Sequence, residues 1–87
     1  MKSFFITFRS VTHAQRAEEA LRNAGMSASL SRTPRALEAR GCGYRIRTDG
    51  RFFTQAVDLL RQKGIPYSKL YAVREDGKME EFGYDLP

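Results

Sequence analysis

The sequence predicts an α+β fold: a ferredoxin-like β-α-β-β-α-β sandwich, with two helices on one face of a four-stranded antiparallel sheet and a C-terminal hairpin or arm. Three observations predict it. Apolar residues alternate at Phe4-Ile6-Phe8 and again at Tyr44-Ile46, the signature of half-buried strands. Apolar residues recur at three- and four-residue steps before Gly25 and before Gly64, the signature of amphipathic helices. Two such helices cannot cover both sides of four strands, so they share one face and leave the other uncovered.

In order along the chain, Ser3 to Arg9 places Phe4, Ile6 and Phe8 on one side and Phe5, Thr7 and Arg9 on the other, a strand with its first side in the core. Thr12 and Gln15 have capping-box spacing, and Ala14, Ala17, Leu21 and Ala24 continue a helix to Gly25. Ser27 to Ser31 reads as a short edge strand. Thr33-Pro34 matches a cap with proline at the first helical position, so Pro34 to Arg40 is expected as a turn or short helix ending at Gly41. Gly43 to Thr48 alternates again, with Arg45 and Arg47 on the open side. Asp49-Gly50 turns the chain into a second helix through Phe53, Ala56, Val57 and Leu60. Pro66 opens a last strand through Val73, and Asp76-Gly77 turns into an arm containing Met79 and Phe82.

The 87 residues suffice for one domain, assigned to residues 1–74 and followed by an acidic arm at 75–87. At this size the function belongs at the surface rather than in a deep cavity. Charge divides unevenly. Residues 1–74 hold 14 Lys/Arg against 5 Asp/Glu, whereas the arm sets Lys78 against Glu75, Asp76, Glu80, Glu81 and Asp85. A basic body suits an anionic partner, and the acidic arm is placed to fold over it. Apolar runs such as Phe4-Phe5-Ile6 are far below the roughly 20 residues that span a bilayer, and no signal-peptide core is present, so the expected compartment is the cytoplasm, with no membrane partner. One cysteine and one histidine argue against a disulfide scaffold and a zinc site, and no nucleotide-binding loop appears, so neither metal nor cofactor is expected.

Cys42 stands between Gly41 and Gly43, whose missing side chains leave a thiol open to another molecule. A lone cysteine is more often a small buried hydrophobe. Weighing the other way are Arg35, Arg40 and Arg45, which are near enough in sequence to stabilise a thiolate and draw the thiol below its ordinary value of about 8.5. A carrier needs only such a sulfur, with no general acid or metal. A Cys42–His13 catalytic pair would require the fold to bring the two together, and His13 reads first as a surface residue of the first helical turn. On the residues alone the inert cysteine is the commoner outcome, and whether the chain is an enzyme is left open.

Thr33-Pro34-Arg35 followed by Gly41-Cys42-Gly43 resembles the selenium/sulfur carrier-like family, small bacterial domains with an aromatic-rich first strand, an alanine-rich helix and a Thr-Pro-Arg segment shortly before a Cys-Gly pair. Phe8, Ser10, Thr12, His13 and Ala14 also look like family positions, and the resemblance runs from Phe4 to Val73. It implies that Cys42 holds sulfur or selenium as a persulfide or perselenide, that Thr33, Pro34, Arg35 and Gly43 shape the site, that the partners are donor and acceptor proteins, and that the chain is a non-catalytic carrier rather than a self-sufficient enzyme. The sequence departs from the family in having Ala39-Arg40-Gly41 where small hydroxyl residues often precede the cysteine.

Two other readings come from the open sheet side. Phe5, Arg9, Arg45 and Arg47, joined by Tyr71, would suit single-stranded nucleic acid through stacking and phosphate contacts, although the third strand lacks closely spaced aromatics. Alternatively that side pairs with a second copy, as a regulatory or oligomerisation module that buries Phe5 in a homodimer. Paired acids Glu18-Glu19 and Glu80-Glu81 point apart and read as solvation.

Overall fold

The computed structural model describes residues 2–33 and 43–82. Within them the chain runs β1 (Ser3–Phe8), α1 (Val11–Asn23), β2 (Ser29–Arg32), β3 (Tyr44–Asp49), a single 3-10 turn (Gly50–Phe52), α2 (Phe53–Gln62), β4 (Leu70–Val73) and β5 (Met79–Phe82). The architecture is α+β, with two helices and a five-stranded antiparallel sheet in the order β2-β3-β1-β4-β5. Phe4, Ile6 and Phe8 of β1 meet Ile46, Leu70, the Ala14-Ala17-Leu21 stripe of α1 and the Ala56-Val57-Leu60 stripe of α2 in one core. Alanines on α1 let its axis come close to the sheet. Phe4 stands edge-on to Phe53, with ring centroids 5.0 Å apart.

The helix boundaries have local causes. Ser10, in extended conformation, caps α1 by accepting a hydrogen bond from the His13 N–H at 3.4 Å. The expected cap, Thr12, is corrected: it lies inside the first turn, because Ser10 is the residue whose extended backbone aims its hydroxyl at the N–H three positions on. Gly25 and Gly64 take positive φ just beyond the two helices, where the Met26 and Ile65 N–H groups bond back to Leu21 and Leu60. Asp49 caps the 3-10 turn, so the second helical segment tightens before it becomes α2.

The four-stranded expectation is corrected to five. The Asp76-Gly77 turn returns the chain so that Met79 pairs with Val73 and Phe82 with Leu70, which makes residues 79–82 the outer strand of the sheet. Its acids have partners: Glu81 meets Lys69 at 3.1 Å and Glu80 meets Arg74 at 3.2 Å. These two carboxylates therefore balance cations flanking β4, not the arginines of β3. Glu18 is also more than a solvated acid, since it accepts the Leu30 N–H at 3.0 Å and ties α1 to β2. The last long strand begins at Leu70 instead of Pro66. Thr7 Oγ1 accepts the Lys69 N–H at 3.0 Å, and a side chain thus replaces a backbone acceptor at the entrance to the ladder.

Candidate functional site

The sheet's two edges and the order of its strands decide what gathers where. Because β3 runs antiparallel to both β1 and β2, its first residue, Tyr44, pairs with the last residues of both, Phe8 and Arg32. The pairing continues one step further: the Thr33 N–H donates to the Gly43 carbonyl at 2.9 Å. Thr33 and Gly43 thus form the base from which the nine residues 34–42 leave and return. Cys42 is covalently bonded to Gly43. Cys42, Pro34, Arg35 and Arg40, with the turn or short helix expected at 34–40, lie outside the described residues.

Thr33 is 6% exposed, and its hydroxyl has no hydrogen-bond partner among the described residues. A buried hydroxyl left unpaired costs about 1–3 kcal/mol. Arg45 lies on the same side of the sheet one row further on, about 7 Å along the strand from Gly43 at 3.3 Å per residue. Its guanidinium carbon sits 4.1 Å from the centroid of the Phe5 ring, and its Nε donates to Ser31 Oγ at 3.4 Å. Desolvation by burial, and then repulsion from Arg47, pull the Arg45 guanidinium below its ordinary range. Ser31 is a contact that sequence reasoning missed. Its position opposite Arg45 follows only once the register of β2 on β3 is known.

Arg9 and His13 come together at this same end of the molecule. With Pro66, Tyr67 and Ser68 they line an open cleft of about 420 Å³ between the start of α1 and the approach to β4. His13 is half-buried there, and Arg9 is exposed. Whether His13 approaches Cys42 falls outside the described residues. Among the described residues no group of three or more His, Cys, Asp and Glu side chains could hold a metal ion, and no helix is long and apolar enough to cross a membrane.

The open sheet side is less open than the alternation implied. Phe5 is 8% exposed and Thr7 2% exposed, although neither described helix lies on their side of the sheet. Arg45 lies over the Phe5 ring, and Arg47 approaches it with a guanidinium-to-centroid distance of 6.0 Å. The expected stacking platform is corrected on this point: Phe5 is already occupied by cations of its own chain, which cover the ring that a base or a second copy would need. Tyr71, opposite Phe5 on β4, is only partly buried, while Arg9 and Arg47 are exposed.

Comparison with curated proteins and with solved structures returned no match. A family model did match. The family described as "Putative Se/S carrier protein-like" covers residues 3–72, from the first residue of β1 to the third of β4, and the chain belongs to that family.

Proposed function

We propose that this protein carries sulfur or selenium on Cys42, receiving it from one protein and passing it to another. Family membership supports the class of function. The observation that carries the residue-level reading is the Thr33–Gly43 pair at 2.9 Å, which anchors both ends of the Cys42-bearing segment in the sheet. A carrier needs its sulfur held at a fixed address and reachable by two partners in turn. The cations around that address, Arg45 in the sheet and Arg9 beside the cleft, suit an ionised sulfur. This reading takes the strand order as the ferredoxin-like arrangement, with the helices behind and the carrier segment at one end.

The transfer step is redox-neutral. The Cys42 thiolate attacks the outer sulfur of a donor persulfide, R–S–SH; the new S–S bond forms on Cys42, the donor's S–S bond breaks, and R–S⁻ leaves with the electron pair. Transfer onward repeats the exchange with an acceptor thiolate. Incubation with a persulfide donor is expected to add the mass of one sulfur atom to the intact protein, reversibly by reductant and not at all in Cys42→Ala. An adduct that persists in Cys42→Ala, or a native thiol that resists labelling until the protein is unfolded, would defeat the proposal.

A further inference from the structure

A second cleft, of about 350 Å³, lies at the end of the sheet opposite the Thr33–Gly43 pair and is lined by Lys2, Ser3, Ser27, Ser29, Arg47 and Asp49. Strand register explains why these residues meet. Ser3 of β1 pairs with Asp49 of β3, Arg47 of β3 pairs with Ser29 of β2, and Ser27 just before β2 accepts the Asp49 N–H on its hydroxyl oxygen at 3.2 Å. Ser27 therefore keeps its own O–H to donate. Ser3 is 4% exposed, and its hydroxyl has no hydrogen-bond partner among the described residues.

The one carboxylate in the cleft is engaged elsewhere. Asp49 Oδ1 accepts the Arg51 N–H at 3.1 Å as the cap of the 3-10 turn, and Oδ2 is 3.9 Å from Arg51 Nε. Beside Asp49 the cleft is lined by two cations, Lys2 and Arg47, and by three serines, with the Ser3 hydroxyl buried beneath its floor. We propose that this cleft binds a phosphate group, either inorganic phosphate or the terminal monoester of a small molecule. A cation would be repelled by Lys2 and Arg47, and an apolar group would leave the Ser3 hydroxyl unpaired. A phosphate offers acceptor oxygens to an arginine fork, an ammonium and several hydroxyls at once, which a carboxylate with two oxygens does not. The site uses no residue of the carrier segment and stands whether or not Cys42 carries sulfur.

The test is an NMR titration of the full chain with inorganic phosphate, and in parallel with a nucleoside 5′-monophosphate, against chloride at matched ionic strength. The expected result is saturable shifts centred on Lys2, Ser3, Ser27, Ser29 and Arg47. Affinity should fall about tenfold in Arg47→Gln, as loss of a charge-assisted contact implies. It should fall several-fold in Ser3→Ala, with thermal stability unchanged or higher because an unpaired buried hydroxyl has been removed. Tighter binding of the nucleotide identifies a monoester ligand, and exclusion of the nucleotide identifies free phosphate. Shifts spread over the whole basic surface, shifts centred on Arg9 and His13, or affinity unchanged in both variants would overturn the proposal; if Arg47→Gln fails to fold, Ser3→Ala decides.

Discussion

Phe4 and Phe5 are neighbours in the chain and both are buried, but by different means. Phe4 points into the core, sealed by α2 and its edge-on contact with Phe53; Phe5 points to the opposite side, away from both described helices, where the arginines of the adjacent strand lie over it. The first kind of burial rests on close packing of apolar groups, which cannot rearrange without leaving a void. The second rests on long side chains that lay their stems across a ring while keeping their charge near water. A sheet can therefore be dry in the middle of both faces with only one layer of helices, provided that the strands beside its centre carry arginine.

Substitution of the two phenylalanines tests that distinction most sharply. Phe4→Ala should lower unfolding free energy by about 3–5 kcal/mol, the cost of removing a fully packed aromatic. Phe5→Ala should cost about 1–3 kcal/mol, because guanidinium groups can settle into the gap and the residual cavity is smaller. Urea unfolding curves measure both, and equal losses would mean that the arginine cover is as rigid as the helical one.

Smaller effects refine the comparison. Thr48, on the helix side of β3, is buried with a hydroxyl that has no partner among the described residues. Thr48→Val keeps its shape and should stabilise the fold by about 1 kcal/mol, the lower end of the cost of an unsatisfied buried hydroxyl. A loss of stability would reveal a polar requirement inside the helical layer. Arg45→Gln should cost about 0.5–1 kcal/mol, the scale of a cation–π contact. That loss should depend on Phe5: in a double-mutant cycle with Phe5→Leu, most of it should disappear.

Much of the fold was legible because it rests on periodicity. Phe4, Ile6 and Phe8 alternate, the α1 and α2 stripes repeat at helical spacing, and both enter the core except at Ala24, which is exposed as the C-cap of α1. What escaped was whatever depends on neighbours distant in sequence. The Asp76-Gly77 turn left residues 75–82 open between a hairpin and an arm; that they pair with β4 as a fifth strand follows from an open sheet edge beside the turn. The cap at Ser10 escaped because Thr12 offers the same chemistry two positions later. Of the site, Thr33 and Gly43 were legible as a pair of motif residues, but their mutual hydrogen bond needed the β2–β3 register. The serine-lined cleft had no sequence signature, since Ser3, Ser27 and Ser29 come together only through strand pairing.

The Thr33–Gly43 clasp also bears on how this scaffold tolerates change. Its two ends are held a strand spacing apart, about 5 Å, by residues whose pairing does not depend on how many others are strung between them. Closing a longer span costs little, on the order of 0.6 kcal/mol for each doubling of its length. A designer could thus graft a foreign peptide between these two residues without redrawing the sheet.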